Sequence, residues 1–74
     1  MSGNRFVVCL SNEGYPASLE PRKLYEWLDD PKAESHDMLR IIDESGEDYL
    51  YPKAFFAQVA VPGELAERLH KLAA

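Results

Sequence analysis

A single cysteine, Cys9, sets the first limit on this chain: no internal disulfide can form and no thiolate cluster can hold zinc. That usage fits a reducing compartment, and the position of Cys9 in an alternating apolar run makes it read as a small buried hydrophobe. Long apolar stretches are missing too. Nothing approaches the ~20 residues of a membrane span, and Phe6 to Leu10 is too short for the core of a signal peptide, so the expected location is cytoplasmic, with no membrane partner. Basic residues are scarce, eight Lys and Arg against thirteen Asp and Glu, for a net charge of -5. Glu64 and Glu67 balance Arg68 and Lys71, so the acidic excess lies ahead of the C-terminal segment. Binding to a phosphate backbone draws on clustered Lys and Arg, and without such a cluster nucleic acid is not an expected partner. The glycines, Gly3, Gly14, Gly46 and Gly63, stand singly, which excludes a glycine-rich phosphate loop.

What is present is a small set of strand signals. The 74 residues make one domain, near the lower size at which a single core suffices without a disulfide or metal. The clearest signal is Met38 to Pro52, two Ile-, Leu- and Tyr-rich arms about the turn Glu44-Ser45-Gly46-Glu47. The hairpin can close in two ways. With Asp43 opening a type I turn and Gly46 in the left-handed bulge position, Ile41 faces Tyr49 and Leu39 faces Tyr51. With Ser45-Gly46 as a two-residue turn, Asp43 stands against Asp48, an unfavourable like-charge pair. The first register is preferred. A slip of one residue exchanges the two faces, so the register decides whether the tyrosines are core or surface.

The remaining elements follow from periodicity and turn chemistry. Arg5 to Leu10 alternates as a first strand, with Phe6, Val8 and Leu10 expected to face the core. Ser11 to Pro16 is loop, and Tyr15 at its tip either packs back or stands out as a contact residue, packing being preferred. Ala17 to Leu28 can be read as a helix capped by Ser18, but Lys23 to Leu28 is aromatic-rich and is assigned as a strand, with Tyr25 and Trp27 on one face and Leu24, Glu26 and Leu28 on the other. Asp29 to Lys32 reads as a turn. Pro52 ends the hairpin and leads into a single 3₁₀ turn, and Phe56 to Val61 is the last strand. From Glu64 the period is helical, with Leu65, Leu69 and Leu72 on one stripe and Glu64–Arg68 and Glu67–Lys71 as i, i+4 pairs. So short a helix needs its leucine face covered, either by its own domain or by a second copy through Leu65, Leu69 and Leu72.

This order of elements resembles the SH3-like barrel: a long loop after the first strand, a three-strand meander, a proline-led turn and a final strand. The stretch IIDESGEDYLYPKAFF is also similar to a family of short uncharacterised bacterial proteins. The resemblance implies a mostly β domain, a small five-stranded SH3-like barrel over residues 5–61 with a short C-terminal α-helix over 64–73. Its peptide-binding groove would include a Pro-x-x-Tyr segment, matched here by Pro52 and Phe55 without the hydroxyl; the paired tryptophans of such domains are absent.

Two short patterns invite a chemical reading. Asp43, Ser45 and Glu47 alternate like the start of a calcium loop, but glycine comes fourth instead of sixth and position twelve is Ala54, so the spacing fails. His36, Asp37 and Ser35 are sequence neighbours, which seldom face one another as a catalytic set does. No metal, cofactor or catalytic residue is assigned. The expectation is a non-enzymatic protein-interaction module contacting a protein or a peptide that carries Arg or Lys, through Tyr25, Trp27, Tyr49 and Tyr51. The alternative is a toxin-type small nuclease or its regulator, with Arg40, His36 and His70 as candidates.

Overall fold

A computed structural model describes residues 5–73. Five strands, β1 (Arg5–Cys9), β2 (Leu24–Leu28), β3 (Met38–Ile42), β4 (Asp48–Pro52) and β5 (Phe56–Val59), form one antiparallel sheet in the order β4-β3-β2-β1-β5. A one-turn helix, α1 (Pro31–Glu34), links β2 to β3, a 3₁₀ turn over Lys53–Phe55 links β4 to β5, and α2 (Gly63–Ala73) follows β5. The order starts at β4 and stops at β5. The near-closed wall anticipated from sequence is therefore an open sheet, with β4 and β5 each unpaired on one side among the described residues.

The hairpin adopts the preferred register, Ile41 opposite Tyr49 and Leu39 opposite Tyr51. Its turn is closed by Gly46 N–H donating to Asp43 C=O at 2.9 Å, with Gly46 at φ +85°, a conformation that side-chain-bearing residues resist. The Asp43 carboxylate then accepts from Ser45 N–H at 2.9 Å and Ser45 Oγ at 2.5 Å, so the acid is committed to building the turn. Two backbone bonds bracket the ladder, Asp43 N–H to Glu47 C=O and Lys53 N–H to Asp37 C=O. Since antiparallel pairs alternate, Ile41/Tyr49 and Leu39/Tyr51 are the hydrogen-bonded pairs, and the peptide groups of Asp48, Leu50 and Pro52 point off the sheet.

Alternation splits the sheet into two covered faces. Val7, Cys9, Tyr25, Trp27, Leu39, Ile41, Tyr51 and Phe56 build the main core, closed by Leu19 from the loop before β2 and by the half-buried Tyr15 and Phe55. Tyr15 thus packs back, its ring edge-on to Tyr51 at 4.9 Å. Here the expected face of β1 is corrected: Val7 and Cys9 enter the main core, Phe6 is buried on the opposite face, Val8 is half-buried and Leu10 is exposed. Both faces of β1 are occupied, so apolar alternation alone could not rank them. Burial raises the Cys9 thiol above its ordinary range, only partly offset by the Ser11 backbone, and its Sγ donates to the Ser11 carbonyl at 3.3 Å.

The second face carries Phe6, Glu26, Arg40 and Ile42 and is partly roofed by α2. The helix does not dock on its leucine stripe as periodicity suggests. Ala66 is the residue pressed against the body, at 1 % exposure, while Leu69 is half-buried and Leu65 and Leu72 remain 48 % and 82 % exposed. His70 fixes that rotation, its Nδ1 lying 2.6 Å from Oε1 of Glu26, a carboxylate only 7 % exposed. Among the described residues neither expected pair, Glu64–Arg68 or Glu67–Lys71, closes within 4 Å. The turn anticipated over Asp29 to Lys32 is α1: Asp30 Oδ1 caps Ala33 N–H at 3.1 Å, and Pro31 occupies the first helical position, where its missing N–H costs nothing. No described helix is long and apolar enough to cross a membrane.

Candidate functional site at the free edge of β4

The four aromatics expected to form one contact surface are not brought together on the outside. Tyr25, Trp27 and Tyr51 are buried, and only Tyr49 is exposed, at 57 %. Tyr25 Oη donates to Glu44 Oε2 at 2.5 Å and accepts from Glu20 N–H at 2.7 Å, tying the first long loop to the hairpin turn. Burial, then that carboxylate, push its pKa well above the ordinary tyrosine range. Trp27 lies beneath the Arg5 guanidinium, 3.7 Å from its ring centroid, a cation–π contact that closes one end of the core. Tyr51 Oη donates to Asp43 Oδ2 at 2.6 Å, and burial together with that bond pushes its pKa up to about 12.

Tyr49 sits on β4, an edge strand with no outer neighbour among the described residues. Its ring leans on the buried Tyr51 at a centroid distance of 5.4 Å, and Tyr51 in turn is braced by the half-buried Tyr15. Along this edge runs an open recess of about 480 Å³ lined by Tyr15, Met38, Arg40, Asp48, Tyr49 and Leu50. Its backbone floor offers the N–H and C=O groups of Asp48 and Leu50. Pro52, at the next outward-facing position, has no N–H, and this limits how far a pairing strand can extend.

The charge of the edge is set by Arg40. Its Nε lies 2.8 Å from Asp30 Oδ2 and its Nη1 2.8 Å from Asp48 Oδ2, so one cation is held between two carboxylates. The Arg40 bond is the largest influence holding the Asp30 carboxyl below its usual range, and the two carboxylates hold the guanidinium pKa up. With Asp30 and Asp48 against Arg40, and Glu47 exposed at the start of the strand, the edge is net acidic.

The nuclease candidates fall apart in space. Arg40 and His36 share a recess with Asp30, Lys32, Ala33, Met38 and Leu50, whereas His70 is engaged by Glu26 under α2. An Arg40 neutralised by two acids is poorly placed to meet a phosphate. Among the described residues no group of three or more His, Cys, Asp or Glu is arranged to hold a metal ion. Sequence reasoning missed Met38, Leu50 and Asp48 as edge residues; the signal available was Pro52, which marks a strand with one side facing solvent. No family model matches the chain, and neither the curated proteins nor the solved structures contain a match.

Proposed function

We propose that this chain is a non-enzymatic protein-interaction module, an SH3-like barrel whose free β4 edge receives an extended segment of a basic partner. The SH3-like reading is supported by the long loop after β1, the β2-β3-β4 meander, the 3₁₀ turn ahead of β5 and the return of β5 alongside β1. The observation that carries the functional reading is Tyr49, an exposed ring resting on the buried Tyr51, on the arm of the hairpin whose outward peptide groups lack a partner among the described residues. Adding a strand to such an edge supplies main-chain hydrogen bonds, alternate side chains then give specificity, and the acidic rim favours Lys or Arg in the incoming segment. Tyr51 supports this surface from beneath, while Tyr25 and Trp27 lie in the core away from the β4 edge. A single buried thiol suits a cytoplasmic setting.

The test is an array of short peptides of graded charge, probed with the wild type and with Tyr49→Ser. Because Tyr49 is exposed, the variant keeps its melting temperature; retention of basic, extended peptides is expected to fall at least tenfold. If no peptide is retained in a Tyr49-dependent way, or if acidic peptides are preferred, the reading fails.

A further inference from the structure

The outer edge of β4 is not uniform along its length. At the hairpin-turn end Glu47 and Asp48 are exposed, and Arg40 answers Asp30 as well as Asp48, so carboxylate is in excess there. Further along the strand, Leu50 borders a recess of about 190 Å³ between α1 and the β3–β4 ribbon, lined by Ala33, Met38 and Leu50 together with Lys32, His36 and the Asp30–Arg40 pair. Lys32 and Arg40 outnumber Asp30 in that recess, so it offers carbon surface to a neighbour and no welcome to a further cation. Asp48 and Leu50 direct their side chains to the same face of the sheet as Arg40 and Met38, and Tyr49 between them points to the other face, against Tyr51.

We infer that the segment received at this edge carries, from its N-terminus to its C-terminus, an aliphatic residue, one intervening residue and a Lys or Arg, and lies antiparallel to β4. The inference rests on the β4-edge reading and names the order and spacing of its partner. Outward-facing peptide groups belong to Asp48 and Leu50, and Pro52 beyond them has no N–H, so the usable ladder is short. An antiparallel segment engages both groups of Asp48 and both of Leu50 within the span between them, whereas a parallel one has to extend past both residues to reach the same groups. Residues directly opposite in such a pair share a face, so the aliphatic side chain lies beside Leu50 at the mouth of the recess and the cation beside Asp48 and the turn. The intervening side chain falls on the Tyr49 ring. Because β4 runs from Asp48 to Pro52, the antiparallel direction puts the aliphatic residue first. A cation in that first position would meet Lys32 and Arg40 instead of Asp48, so position as well as net charge is selected.

The experiment is a titration of the labelled full chain with capped synthetic peptides, Gly-Ser-Leu-Thr-Lys-Ser-Gly and versions with Lys-Thr-Leu, Leu-Lys-Thr or Leu-Thr-Glu at the centre, following the amide shifts of Asp48 and Leu50. The Leu-Thr-Lys peptide is expected to bind at least about fivefold tighter than each of the others. Asp48→Lys, at an exposed position, is expected to reverse the choice so that Leu-Thr-Glu is preferred to Leu-Thr-Lys. Leu50→Ser is expected to remove the advantage of leucine over serine at the first position and to keep that of lysine at the third. If no peptide moves the β4 amides, the edge reading fails and this inference fails with it. If peptides bind there in a Tyr49-dependent way but the reversed or shifted order binds as well or better, or Asp48→Lys leaves the preference for lysine intact, the edge reading stands and the inference is overturned.

Discussion

Replacing Tyr51 by Phe isolates one hydrogen bond at the centre of the domain. The ring is 1 % exposed and stays in place, so the change removes only the hydroxyl that donates to Asp43 Oδ2 at 2.6 Å. A hydrogen bond to a charged acceptor contributes roughly 1.5–3 kcal/mol. Asp43 keeps both bonds from Ser45, so the lower part of that range is expected, about 1.5–2 kcal/mol, equivalent to a melting point lower by about 6–16 °C in a domain of this size. Urea unfolding followed by Trp27 fluorescence measures it. The pH dependence adds a second constraint. Burial acts to raise the Asp43 carboxyl, but the bonds from Ser45, Tyr51 and the backbone outweigh it and hold the pKa below the ordinary value. A folded pKa lower than the unfolded one, ~3.9, gives stability that is complete above that value and is lost as pH falls through the folded pKa. The gap between wild type and variant is therefore expected to be flat from about pH 5 to 7 and to narrow below about pH 4. A loss under about 0.5 kcal/mol at neutral pH, or a gap that persists in acid, would refute this account of the turn.

Three further outcomes follow from the same geometry. Gly46→Ala meets no atom within 4 Å of its added Cβ, so its cost is that of a side chain in the left-handed region, about 1–2 kcal/mol, read by chemical denaturation. Asp37 has φ +60° just past the end of α1, and Asp37→Gly is expected to gain up to about 1 kcal/mol in the same assay because glycine suits that position. His70→Ala leaves the buried Glu26 carboxylate without its partner, and α2 is expected to lift so that water can reach the acid. Amide exchange should then speed up in α2 and stay unchanged in β2 and β3.

The hairpin was legible because two local terms agreed: an Asp-x-x-Gly turn, and the cost of setting Asp43 against Asp48. The strand at Leu24–Leu28 was legible from its aromatic alternation once Asp30-Pro31 closed it. That same dipeptide was read as a turn and proved to be a cap and first helical residue, a signal hidden by the lack of any apolar period in four residues. The two faces of β1 and the rotation of α2 were not legible, because each depends on what covers it: the core that Leu19 and Phe56 share with Val7 and Cys9, and a His70–Glu26 contact spanning distant segments. For the site, Tyr49 and Tyr51 look alike in sequence, sharing one face of one strand. Tyr15 decides between them by covering Tyr51, and no spacing rule reveals that.

Native-state amide exchange on the uniformly labelled protein tests the free edge most directly, since β4 exposes alternate amides. We expect the amides of Leu39, Ile41, Tyr49 and Tyr51 to exchange slowly and those of Asp48 and Leu50, on the same strand, to exchange near the rate of an open chain. Slow exchange at Asp48 and Leu50 would mean that the edge is already occupied, and the contact surface built on Tyr49 would have no strand to receive.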